Sequence, residues 1–180
     1  MRSRKKIINA TLSVIESAGF NGVSIAAVAE AAKVSRQTVY SNFGSREDLV
    51  SQALSELMVD ILGDIRARAA AAKSPFEYVR ELIVAGRLEV RTHAVLGRLL
   101  EVARDNPVFD SDVMERAKPL SQLLLAPLVE EYPDIEPRLE EIGLVATRWS
   151  MSIILFDDES VRTDDDLRDF LGRWLRPAME

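Results

Sequence analysis

Between Val34 and Leu49 the sequence reads Val-Ser-Arg-Gln-Thr-Val-Tyr-Ser-Asn-Phe-Gly-Ser-Arg-Glu-Asp-Leu, and its polar residues are spaced to form one hydrogen-bonding surface. On a helix, Val39 and Phe43 lie four residues apart and define a buried face. Gln37 and Ser41, also four apart, fall on nearly the opposite side, flanked by Thr38 and Tyr40. Such a surface offers donors and acceptors to base edges and phosphates without burying apolar area against DNA. Arg36 sits at the flank of the first turn, where its long stem reaches a guanine or a phosphate. Ser35, at the helix start, leaves amides that favour a phosphate.

Other chemistries find little support. The chain has no cysteine and one histidine, His93, which excludes disulfides, thiolate metal sites and multi-histidine clusters. The acidic runs Asp157-Asp158-Glu159 and Asp164-Asp165-Asp166 match no EF-hand spacing, and the second belongs to the first turn of a helix, where acids are favoured. No pair of carboxylates has the apolar context that acid–base catalysis requires. No catalytic residue, metal or cofactor is therefore expected. Arg87, Arg91 and Arg148 lie on apolar-patterned helices and suit either salt bridges or an anionic ligand.

The charge of −6 is unevenly distributed. Residues 1–50 hold seven basic and four acidic groups, and the rest holds 16 basic and 25 acidic ones. Because screening limits phosphate attraction to roughly 8 Å at physiological salt, a basic tip on an acidic body can still bind DNA. No signal peptide and no apolar run of membrane-spanning length is seen, so a soluble, cytoplasmic protein without membrane contact is expected.

These residues need helices to position them, and the pattern is helical throughout, rich in alanine, leucine, glutamate and arginine. A first helix is predicted from about Arg4 to Ala18, stopping at Gly19. A second starts at Ser24 and carries Ile25, Val28, Ala29 and Ala32 on one face. The turn Lys33-Val34 leads to Ser35, the N-cap of a third helix ending near Phe43-Gly44. Ser45 caps a long fourth helix whose apolar stripe runs from Leu49 to Ile65. Ser74-Pro75-Phe76-Glu77 is a capping box opening a fifth, to about Arg91. Further helices are predicted over Ala94–Arg104, over Ser111–Tyr132 with kinks or breaks at Pro119 and Pro127, over Glu136–Phe156, and from Thr163 to about Arg176. The expected division is 1–46, a three-helix DNA-binding module, and 47–180, a helical ligand-binding and dimerisation domain.

The segment from Lys6 to Leu49 resembles the DNA-binding region of the tetracycline-repressor (TetR) family. Ile7-Ile8-Asn9-Ala10 opens the pattern, Ala18-Gly19-Phe20 closes the first helix, Ser24-Ile25-Ala26-Ala27-Val28-Ala29 gives the second, and Val34–Leu49 follows the family signature almost position by position. The resemblance implies that Thr38, Tyr40 and Arg46 contact phosphates, and that Arg36, Gln37 and Ser41 read bases. Lys5 in the basic arm, Ser24 and Lys33 complete the expected DNA-facing set. Lys33 stands where the family often has glycine, Gln37 where it often has a small residue, and Ser41 where it often has histidine. These departures bear on which sequence is read.

Beyond residue 50 the resemblance supplies architecture alone. It implies a homodimer built on the last two helices, whose Phe156, Leu167, Phe170, Leu171 and Trp174 are the expected interface. It also implies a small-molecule effector among helices four to eight, with an expected lining of Tyr78, Leu82, His93, Phe109, Leu124, Thr147, Arg148, Trp149 and Ile153. The bland alternative for His93 is a solvated residue near a helix end. The reading is a ligand-responsive regulator, most simply a repressor, that binds a palindromic double-stranded operator and is released by a small molecule. The competing reading is a helical interaction module or enzyme that kept a vestigial helix-turn-helix.

Overall fold

The computed structural model describes residues 2–105, 113–156 and 159–179. Its regular elements are all helical: α1 (Arg2–Gly22), α2 (Ile25–Ala31), α3 (Arg36–Phe43), α4 (Arg46–Ala69), α5 (Pro75–Thr92), α6 (Ala94–Asp105), α7 (Val113–Glu131), a 3-10 segment (Pro133–Arg138), α8 (Leu139–Leu155), α9 (Asp164–Trp174) and α10 (Arg176–Met179). The all-α expectation holds. Among the described residues no helix is long and apolar enough to cross a membrane.

Helix starts follow from short-range capping. Ser24, Ser35, Ser45 and Ser74 each accept, through the side-chain oxygen, the amide three residues on, at 3.1, 3.0, 3.0 and 3.2 Å. Each such cap contributes about 1 kcal/mol. Thr163 and Asp166 form a reciprocal capping box at α9. At α5 the box is shifted by one residue, because the Glu77 carboxylate accepts from the Lys73 amide at 2.8 Å.

Three elements differ in detail from their prediction. Helical geometry breaks at Gly19 (φ 67°), where the sequence places the end of the first helix, but α1 resumes as far as Gly22. Helix α7 is continuous through Pro119 and Pro127 instead of breaking there. Each proline leaves the carbonyl four residues earlier without its helical donor, and those residues, Glu115 and Leu123, are exposed, so water can substitute. Before α8, Pro133 and Pro137 give a 3-10 segment, and the α-helix begins only at Leu139.

The chain forms two compact units. One comprises the residues up to Ile61 together with His93–Asp105, and the other Leu62–Thr92 with the described residues from Val113 onward. The division between these compact units falls within α4, because α6 packs on α1 and the first turns of α4 are tied to α1. Arg4 supplies that tie: it pairs with Glu56, donates to Gln52 Oε1 at 2.7 Å, and sits 5.5 Å over the Phe43 ring.

In the first unit Ile7, Ile8, Ile15, Val28, Val39 and Leu49 are fully buried. In the second, α5 is the spine and packs against α7, α8, α9 and α10. Val79 and Val84 of α5 are buried, as are Leu128, Leu167, Leu171 and Leu175. Polar ties fix the helices around it. Arg168 of α9 grips the Glu81 carboxylate at 3.1–3.2 Å, and the Tyr78 hydroxyl donates to Leu124 O of α7 at 3.0 Å. Burial raises the Tyr78 pKa, so the hydroxyl stays a donor at neutral pH.

Candidate nucleic-acid interface

Helices α2 and α3 meet through the turn Ala32–Ser35. Val28 and Ala29 bury the inner face of α2, and Val39 and Phe43 that of α3. Burying Val39 and Phe43 contributes roughly 1.5–3 kcal/mol each, enough to fix the rotation of α3 about its axis. The turn closes with the Val34 amide donating to Ala29 O at 2.9 Å, and this requires Lys33 to adopt φ 52°. Lys33 is the one non-glycine residue with positive φ among those described. That conformation costs an L-residue roughly 1–2 kcal/mol, and it is the strain expected where the family often has glycine.

With Val39 and Phe43 inward, α3 presents Arg36, Gln37, Tyr40 and Ser41 outward, and Tyr40 is 51% exposed. The hydroxyl of Ser41 donates back to Thr38 O at 3.1 Å, which leaves its lone pairs as acceptors. Thr38 is half-buried, with its hydroxyl 2.8 Å from that of Ser35. Asn42, which the sequence did not single out, donates to Thr38 O at 2.7 Å and so stiffens the last turn. Lys5, Lys33 and Ser24 are exposed, and the Ser24 oxygen is engaged as the cap of α2.

Arg46, expected to face phosphates, is engaged by carbonyls within the fold. Its Nε donates to Val23 O and its NH2 to Phe20 O, both at 2.6 Å, and its NH1 lies 3.5 Å from Glu47. The guanidinium therefore bridges the start of α4 to the α1–α2 connection. A sequence hint existed, because a cation at the first position of a helix is opposed by the helix dipole unless other acceptors hold it.

Residues 7–53 match the family model described as "Bacterial regulatory proteins, tetR family". Over this region the chain is similar to the tetR family. Among curated tetR-type relatives, it is 35% identical over 82 residues to the HTH-type transcriptional regulator BetI 1 of Chromohalobacter salexigens, covering 44% of this chain and 40% of that protein. It is 32% identical over 83 residues to BetI of Burkholderia thailandensis, covering 46% and 43%. The match spans about two fifths of those relatives' length. The tetR-family fold extends across the whole chain. The repressor AlkX of Dietzia sp. aligns over 98% of this chain and 94% of its own, with a TM-score of 0.63 at 23% identity. The fatty acid degradation regulator FadR of Bacillus halodurans aligns over 98% and 97%, with a TM-score of 0.59 at 20% identity.

The residues expected to line a tetR-type effector pocket do not all come together. Phe109 lies outside the described residues. His93 belongs to the other compact unit, where its backbone carbonyl accepts the Gly97 amide at 3.1 Å and its Nδ1 is buried without a partner. Tyr78 and Leu82 are core residues of α5, and Leu124 is half-buried on α7. Thr147 lines a groove between α7 and α8 of about 440 Å³, together with Lys118, Ser121 and Glu140. Arg148, Trp149 and Ile153 line a separate cavity of about 550 Å³ with Arg87 and Phe170.

The expected dimer residues also separate. Phe156 and Trp174 are 75% and 62% exposed, and Phe170 packs on Trp149 with ring centroids 5.7 Å apart. Leu167 and Leu171, expected at the interface, are instead fully buried within the chain, because the first turns of α9 dock on α5. Their apolar surface is already used. Among the described residues no cluster of three or more His, Cys, Asp or Glu is arranged to hold a metal ion.

Proposed function

We propose that this protein is a one-component transcriptional repressor acting in the cytoplasm, which binds a near-palindromic operator as a twofold dimer and is released by a small molecule. The observation that carries the reading is the outer face of α3: Arg36, Gln37, Tyr40 and Ser41 are exposed together on a helix whose other face is locked into a helix-turn-helix. Arg36 and Gln37 have the forked donor and acceptor groups that pair with guanine and adenine edges, and Tyr40 and Lys33 suit phosphates.

Dimerisation is supported by Phe156 and Trp174, large apolar side chains left exposed on neighbouring elements. In such a dimer the two α3 helices would enter successive major grooves about 34–36 Å apart. Release by a small molecule is supported by the cavities of the second unit and by α4, which contributes residues to both units. The similarly folded AlkX is a repressor, and repression comes to this chain by analogy.

The test is an electrophoretic shift on DNA flanking the gene, across a salt series, with a shuffled fragment as competitor. A repressor of this kind shifts the flanking DNA at concentrations that leave the shuffled fragment free, and affinity falls steeply with salt. Equal affinity for both fragments at every salt concentration would contradict the proposal.

A further inference from the structure

We infer that the cavity between α5, α8 and α9 binds an organic anion, specifically a carboxylate carried on an apolar body. The inference rests on the effector reading above and gives the effector a chemical class.

Arg87 is the reason. It projects from α5 with its side chain only 3% exposed, and it lines this cavity. Its NH1 and NH2 donate to Val161 O at 2.9 Å and Arg162 O at 3.1 Å, which orders the segment before α9. Its Nε is buried and has no hydrogen-bond partner. A buried guanidinium N–H without an acceptor is rare enough to require an explanation, and an oxygen entering the cavity would supply that acceptor.

The remaining walls specify what the oxygen belongs to. Arg148 adds a second cation, and among the described residues none that lines the cavity is acidic. Asp164 lies 3.7 Å from Arg87 NH2, outside the lining, so it offsets Arg87 only in part. Trp149 and Phe170 form an aromatic corner, and Ile153 and Phe156 extend the apolar wall. A volume of about 550 Å³ suits a small molecule. The groove between α7 and α8 has no such bias, because its Lys118 is paired with Glu140 at 2.6 Å and Glu115 and Glu136 also line it.

The test uses the DNA-free full chain carrying Trp174→Phe, so that Trp149 is the only tryptophan. Its fluorescence is titrated with 4-phenylbutyrate and with the neutral 4-phenylbutan-1-ol. The carboxylate is expected to bind about tenfold or more tightly than the alcohol, as charge-assisted hydrogen bonds require. Arg148→Gln should reduce that preference several-fold. Arg87→Lys, which keeps the charge but removes Nε–H, should nearly abolish it. Ser152→Phe, which fills the cavity from α8 without adding a tryptophan, should abolish binding of both compounds. Equal affinity for the two compounds, no saturable carboxylate binding at millimolar concentration, or binding indifferent to Ser152→Phe would each overturn the inference. So would a change of sedimenting mass in Ser152→Phe, since a second copy would then occupy the cavity. Operator release is measured separately. Carboxylate binding without release keeps the site and removes the effector reading, whereas release by other compounds without carboxylate binding does the reverse.

Discussion

Replacing Arg46 with glutamine separates two roles that its position makes easy to confuse. In the structure two of its donors are committed to Phe20 O and Val23 O at 2.6 Å, across the connection between α1 and α2. Hydrogen bonds from a charged donor contribute about 1.5–3 kcal/mol each when shielded. The side chain is partly exposed, so water would recover much of that, and about 1–2 kcal/mol is the expected net loss. The loss should appear as a lower urea midpoint for the first unit with an unchanged slope of free energy on denaturant. Operator affinity should fall because α3 is less well positioned, while the slope of log affinity against log salt stays close to that of the parent. A direct phosphate contact predicts the opposite: stability unchanged, and a slope reduced by about 0.9 per half-site. That second pattern would refute the reasoning and return Arg46 to the DNA-facing set.

Lys33→Gly should raise stability by about 1 kcal/mol, since glycine adopts φ 52° without strain, and should weaken operator binding through the lost charge; a lowered urea midpoint would contradict this. Asp166 gives a pH signature at α9. The Thr163 amide, and then the Thr163 hydroxyl, hold its carboxyl below the ordinary value of 3.8. A depressed folded pKa means that the stabilisation is complete above about pH 3.8 and is lost as pH falls through the lower folded value. Asp166→Asn, which cannot titrate, should remove that acid-sensitive component, as read from amide exchange in α9 between pH 5 and 3. A double variant, Phe156→Glu with Trp174→Glu, should sediment as a monomer with its helical content intact; an unchanged dimer would move the interface elsewhere.

What was legible in the sequence was local. Ser24, Ser35, Ser45, Ser74 and Thr163 announce helix starts because the partner of each cap is three residues away. The rotation of α3 was legible for the same reason, since Val39 and Phe43 fix it within a single turn. The bonds of Arg46 to Phe20 O and Val23 O were not legible because those partners are more than 20 residues distant. On α9, helical periodicity puts Leu167, Phe170, Leu171 and Trp174 within an arc of about 100°, so spacing cannot divide core from surface. Docking on α5 divides them, burying the leucines and leaving Trp174 at the exposed end. The expected effector lining was scattered because cavities form where helices fail to meet, and no sequence period records that. Arg87 looked like one of several arginines on amphipathic helices until the carbonyls of Val161 and Arg162 were seen to hold it, leaving its Nε unpaired.

The most direct test of the central claim is the base preference of Gln37→Ala, obtained by selecting binding sites from a randomised DNA pool with the parent and the variant side by side. Gln37 stands on the exposed face of α3, opposite buried Val39 and Phe43. If that face reads the major groove, the variant should select the same near-palindrome with one base pair per half-site relaxed, at a cost of roughly 1–3 kcal/mol in discrimination there. An unaltered preference at every position would contradict the account.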